Sequence, residues 1–195
     1  MFDSDFERAR RGEGAAIARL LLPYLPALNA FVRTRLSGRV AQRESVEDLV
    51  QSVCRDVLTD FPSVTAQDEA GFRSWLFAVV RNKLHKKESF HRAGVRDVGQ
   101  EQALTLDTSL DEAALLEAYG SSVTPSHDVA AAEEIERIER AFDELPAHYR
   151  DALSHVAIAG LSYREAGLLL GKSEDSIRQT VHRARARLAT LLDQA

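Results

Sequence analysis

Apolar residues recur at spacings of three and four through most of the 195-residue chain, and strict alternation is rare. One face of a helix has the first period, and a half-buried strand has the second. The chain therefore reads as all-α. The periodicity predicts helices over roughly 5–22, 25–37, 45–60, 69–91, 129–143, 147–158, 162–170 and 174–192. Pro23 and Pro26 are expected to part the first two, Pro62 to stop the third, and Pro146 to separate 129–143 from 147–158.

The pattern lapses between Ala93 and Asp128. That stretch holds Gly94, Gly99, Gly120, Ser121, Ser122 and Pro125, and its few leucines cannot form a core of their own. It reads as a linker, with one short helix expected near 110–118. Two helical domains follow, over 1–92 and 129–195, each with apolar residues enough for a small core. The second would be only marginally stable alone.

Charge divides the chain in the same places. Residues 1–92 carry 15 basic and 12 acidic side chains, 93–128 fall within a segment ending at 144 that carries 3 and 13, and 145–195 carry 7 and 5. Two mildly basic blocks flank an acidic one. Gly71 to Arg96 holds seven basic residues against the single acid Glu88, and Ser176 to Leu188 holds four arginines and no acid. Two such patches in a chain of net charge −5 suggest two separate contacts with a polyanion. Two solvated helix faces are the plainer alternative.

Other classes find little support. The longest uncharged stretch, Leu20 to Val32, is 13 residues, short for a membrane span. The acidic start, Met1 to Asp5, does not resemble a secretory signal. One cysteine, Cys54, permits no internal disulfide and no cysteine-based zinc site; beside Val53 it reads as a packed thiol. His85, His91, His127, His148, His155 and His182 show no metal-binding spacing, and no phosphate loop or nucleophile elbow occurs. Neither a cofactor nor an enzymatic activity is expected, and a reducing cytoplasm is the natural location.

The most informative run is Leu161 to Val181. Ser162 and Glu165 have the spacing of a capping box, Gly171 can end the helix so begun, and Ser173 can cap the next, with Glu174 and Asp175 in its first turn. Gly167, Gly171 and Ile177 then have the spacing of a helix-turn-helix: a small residue at the crossing, a glycine in the turn, an aliphatic anchor in the second helix. Ile177, Val181, Ala184 and Leu188 would face inward. Arg178, Gln179, His182, Arg183, Arg185 and Arg187 would face solvent or the DNA major groove. An ordinary helical hairpin with a basic face would share this pattern.

In the N-terminal block, Val46, Leu49, Val50, Val53, Val57 and Leu58 form the expected buried face of a helix that leaves Glu47, Asp48 and Gln51 outside. A later helix begins Phe72-Arg73-Ser74-Trp75 and runs into Arg81, Asn82, Lys83, Lys86 and Lys87. Aromatic and basic residues interleaved on one helix suit single-stranded DNA, although the spacing of Phe72, Trp75, Leu76 and Val79 fits a core face.

Taken in order, the run Glu47 to Gln51, the run Phe72 to Leu84, Leu145-Pro146, and Leu161 to Glu165 continuing through Ile177 to Leu188 resemble the bacterial extracytoplasmic-function (ECF) sigma factors. The resemblance covers about 15–92 and 129–192. It implies a sigma region 2-like domain at 1–92, an acidic linker at 93–128 and a region 4-like helix-turn-helix at 129–195. It implies a transcription initiation factor that binds core RNA polymerase and directs it to promoters. Glu47, Asp48 and Gln51 would then touch the polymerase clamp. Arg81, Asn82, Lys83, Lys86 and Lys87 would bind the melted minus-10 element, Asn82 beside the pocket for an unstacked base. Arg178, Gln179, His182 and Arg183 would read the minus-35 element. The acidic linker would mimic nucleic acid in the polymerase channels. An anti-sigma factor or a Ser/Thr kinase would be a fitting regulator; no membrane is implied.

The sequence departs from the family in places. Thr180 stands where a basic residue is common, Gly167 where alanine is usual and where glycine would loosen the helix, the linker is long, and Ser45 and Val46 dilute the acidic run before Leu49. Ser45, Ser52 and Thr59 are seven apart and would share a stripe of the docking helix, where phosphorylation would add charge toward the polymerase; three small polar residues on an exposed face explain the spacing as well. A stand-alone helix-turn-helix regulator is the main rival, but leaves the second basic patch unexplained. A pair of helical interaction modules is another.

Overall fold

The computed structural model describes residues 2–35, 45–91 and 129–194, and among them all regular structure is helical. The 110–118 helix and the linker lie outside the described residues.

The expected first helix is two: α1 (Phe2–Arg10) and α2 (Gly14–Leu21). Gly12 sits at φ +84° and its N–H reaches the Ala9 carbonyl at 2.9 Å, closing α1 with a left-handed residue. Both helices turn apolar residues to the same core, so the periodicity runs through the corner. Arg19 closes back on Asp5 at 2.6 Å, and Arg8 on Glu13 at 2.8 Å.

Pro23 and Pro26 stand where one helix gives way to the next, as expected, but the break is only a short turn. The chain passes from α2 through a 3-10 turn, Leu22–Tyr24, directly into α3 (Leu25–Arg33). Both prolines occupy first-turn positions, where a missing N–H leaves no bond unmade. α3 stops at Arg33; positions 36 and 37 of the expected helix lie outside the described residues. By length and composition the run Gly14–Arg33 would suffice to cross a membrane. Here Ile17, Leu20, Leu21, Leu28, Phe31 and Val32 are buried in the core.

Ser45 caps α4 (Val46–Asp60), accepting the Asp48 N–H at 3.0 Å. Leu49, Val50, Val53 and Val57 are buried, and Val46 is partly so. Leu58 is not: it is 43% exposed, because it lies 100° round the helix from Val57. Asp68 begins α5 (Glu69–His91) by accepting the Gly71 N–H at 2.7 Å. Phe72, Leu76, Phe77, Val80 and Leu84 are buried around a wide arc of α5, which marks it as the central helix of its block. Trp75 is half-buried, edge-on to Phe61, in a cluster that includes Phe6 and Phe72.

The C-terminal block comprises α6 (Val129–Glu144), α7 (Ala147–Leu153), α8 (Tyr163–Leu170) and α9 (Glu174–Asp193). The helix expected over 147–158 widens after Leu153 into a π-helical turn, Ser154–Ile158, closed by Ala159 N–H on the Ser154 carbonyl at 2.9 Å. The buried residues of the two blocks form one continuous cluster, not two separate cores. Phe31 of α3 meets His155 of the π turn edge-on, with ring centres 5.0 Å apart.

Candidate nucleic-acid interface

α8 and α9 are fixed by local chemistry. Ser162 and Glu165 make the full capping box: Ser162 N–H reaches the Glu165 carboxylate at 2.7 Å and Glu165 N–H reaches Ser162 Oγ at 3.2 Å. Gly171, at φ +66°, ends α8 in the left-handed conformation. Ser173 then caps α9 by accepting the Ser176 N–H at 3.2 Å. A Cβ on Gly167 would stand 2.7 Å from the Lys172 carbonyl oxygen. Glycine therefore allows the turn to close against α8, where the sequence suggested only a loosened helix.

α9 buries Ile177, Val181, Ala184 and Leu188 and leaves Gln179, His182, Arg183 and Arg187 exposed. Two arginines differ from the expected pattern. Arg185 is half-buried. Arg178 is exposed but held: its guanidinium donates to Asp175 and Glu174, both at 2.8 Å, and lies over the Tyr163 ring at 5.5 Å. The acid-free window begins just after the acids that hold its first arginine. The exposed row is a cationic, hydrogen-bonding helix face of the kind that enters a major groove.

On α5, Asn82 and Lys86 are exposed one turn apart, and the half-buried Arg81 donates to Asn82 Oδ1 at 3.3 Å. Lys83 belongs elsewhere. It shares the side of Leu76, and its ammonium binds Asp56 at 2.6 Å and the Ser52 carbonyl at 2.9 Å, tying α5 to α4. Lys87 is half-buried.

α4 presents Glu47, Asp48 and Gln51 to solvent; Gln51 accepts a hydrogen bond from Arg55 at 3.3 Å. The three hydroxyls seven apart form no uniform stripe. Ser45 is the cap preceding the helix, Ser52 is half-buried, and exposed Thr59 donates to the Arg55 carbonyl at 3.0 Å. Cys54 is half-buried, and burial pushes its thiol up.

The Sigma-70 region 4 family model matches residues 135–188, the segment that carries α8 and most of α9. The ECF RNA polymerase sigma factor EcfG of Rhodopseudomonas palustris is 30% identical over 172 residues, covering 88% of this chain and 82% of that protein. The chain belongs to the ECF RNA polymerase sigma factor family. ShbA of Streptomyces griseus, another ECF sigma factor, is 28% identical across 96% of this chain and 93% of its own length. Two solved structures share the fold. CnrH in complex with the cytosolic domain of CnrY matches with a TM-score of 0.63 and 22% identity, over 97% of this chain and 96% of that one. The sigma factor RpoE in complex with the anti-sigma factor NepR, from Bartonella quintana, matches with a TM-score of 0.57 and 24% identity, over 90% and 96%. The protein is thus a transcription initiation factor that acts with core RNA polymerase at promoters.

Sequence reasoning missed the residues where the two blocks of this sigma factor meet: Arg33, Thr34 and Arg35 against Glu139, Asp151, Ser154 and His155. No local signal pairs residues 106 or 120 positions apart.

Proposed function

We propose that the block at 1–92 is the region 2-like domain and the block at 129–195 the region 4-like domain, joined by a linker at 93–128. Glu47, Asp48 and Gln51 dock on core polymerase. Asn82, with Arg81, Lys86 and Lys87 beside it, binds the melted minus-10 strand; Lys83 contributes by holding α5 against α4. Gln179, His182 and Arg183 read the minus-35 element, with Arg178 joining once it leaves its carboxylates. The observation that carries this reading is the capped α8–α9 pair with its exposed row from Gln179 to Arg187. The protein works in the cytoplasm as a transcription factor and not as an enzyme. An anti-sigma factor is its natural regulator, since a sigma factor of the same fold was solved in complex with one. A Ser/Thr kinase would act through Ser45 and Thr59, the exposed hydroxyls of the three.

Size-exclusion chromatography with bacterial core polymerase tests the docking surface. The wild type co-elutes, and Asp48→Arg/Gln51→Ala does not. Co-elution of both would move the interface off α4. Failure of the wild type to bind would favour a stand-alone DNA-binding regulator.

A further inference from the structure

Helix α9 opens with a charge that the proposed function leaves unused. The Asp175 side chain, in its first turn, is 81% exposed. At 100° per residue it lies about 40° round the helix from Gln179 and about 20° from His182. Ile177, the buried anchor, is about 160° away. Asp175 therefore heads the exposed row that continues through Gln179, His182 and Arg183. Glu174 lies about 100° out of that row and is 47% exposed. The place is fixed by its neighbours. Ser173 caps the helix just before it, and the close approach of Gly167 to the Lys172 carbonyl sets the turn. The N-terminal residues of a recognition helix are the ones that meet base edges.

In the free protein Arg178 supplies the donor for Asp175, at 2.8 Å, while it also binds Glu174 and lies over Tyr163. When Arg178 turns to DNA, the Asp175 carboxylate loses that donor in a groove from which water is displaced. An unpaired carboxylate there is costly. The base edge opposite has to replace the donor. In the major groove guanine offers only acceptors, and thymine an acceptor and a methyl group. Adenine offers an amino group beside the N7 acceptor, which repels a carboxylate. Cytosine offers an amino group alone.

We propose that Asp175 is a specificity-determining residue, which accepts a hydrogen bond from the N4 amino group of a cytosine in the minus-35 element. The proposal rests on the assignment of α9 as the reader of that element. Four residues of helix rise about 6 Å, which puts this cytosine within about two base pairs of the one that Gln179 reads. A carboxylate at this place also repels the phosphates, so duplexes without the cytosine gain nothing to offset it. Asp175 thus selects by exclusion as much as by attraction.

A randomised promoter tests this. Core polymerase and the wild-type protein, given fragmented genomic DNA of the source organism, yield transcripts whose sequencing maps a promoter. Its minus-35 element is then randomised, and the transcribed members of the library are sequenced for each variant. The wild type is expected to favour cytosine at one position by roughly tenfold. Asp175→Ala should flatten that position and leave the others as they were. Asp175→Asn should turn the preference to adenine, because an amide accepts from N6 and donates to N7. Asparagine keeps the size of aspartate, so this arm reads the base even where alanine weakens the helix. Glu174→Ala should keep the wild-type pattern, and loss of the cytosine preference there would overturn the proposal. A carboxylate that served only the helix N-terminus would change output from every sequence alike. Base preferences unchanged in both Asp175 variants would therefore overturn the proposal, as would a flattened position at which the wild type favours guanine or thymine. A wild type that makes no promoter-directed transcripts overturns the assigned function itself, and the base contact falls with it.

Discussion

His155 is a buried imidazole with one satisfied nitrogen. Its Nδ1 donates to the Asp151 carbonyl at 2.6 Å, while Nε2 is buried without a partner. Burial, aided by the charges of Arg35 and Arg81 and opposed by the Asp151 bond and carboxylate, pushes its pKa down to about 4. An unfolded histidine titrates near 6.5. Between those values the unfolded chain binds a proton that the folded chain refuses. Stability from this residue is therefore complete above the unfolded value and is lost as pH falls toward the folded one. The full loss amounts to roughly 3 kcal/mol. Thermal melts between pH 7 and 5 should show a steeper fall in Tm for the wild type than for His155→Phe; parallel slopes would remove His155 as the cause. Gly167 makes a second prediction at this scale. Alanine would improve helix propensity by about 1 kcal/mol, but its methyl would press on the Lys172 carbonyl, and overpacking of that kind costs about 1–3 kcal/mol. Gly167→Ala should lower Tm, and a higher Tm would show that the α8–α9 turn yields easily.

At the scale of elements, legibility followed locality. The α8–α9 pair was readable because each of its determinants acts over three or four residues: Ser162 with Glu165, Gly171 with the Gly167 carbonyl, and Ser173 with the Ser176 N–H. The break at Gly12 was not, because α1 and α2 supply one core and the apolar period crosses the corner. The π turn has no sequence signature, and its His155 packs on Phe31 of α3. Lys83 looked like one of a basic row, and its angular position beside Leu76 sends it to Asp56 instead. The same angular logic separates the arginines of α9. Arg183 is exposed and holds no ion pair among the described residues, whereas Arg178 must first release two carboxylates. On a mapped promoter, Arg183→Ala should weaken binding of the polymerase complex by about 1–3 kcal/mol, the worth of a good base contact. Arg178→Ala should cost less. Fluorescence anisotropy of labelled minus-35 duplex checks the order, and the reverse order would place Arg178 at the base edges.

Across the whole molecule, charge and the lapse in periodicity at 93–128 suggested two helical domains with separate polyanion contacts, yet the buried residues of the two form one cluster. Arg33 and Glu139 meet although 106 residues apart, a pairing that only the folded chain displays. Continuity of the core has a thermodynamic consequence. The C-terminal block is small, and a bundle of that size buries too little surface for much stability of its own. Its folding therefore draws on α3 and α5, and the two blocks should unfold together, because separating them exposes Phe31, His155 and the Thr34–Ser154 pair at once. Calorimetry of the free wild-type protein should give one transition whose calorimetric and van't Hoff enthalpies agree. Arg35→Glu removes the partner of Asp151 beside that contact and should split the transition, with the C-terminal block melting first. Two transitions in the wild type would mean that the blocks are thermodynamically independent.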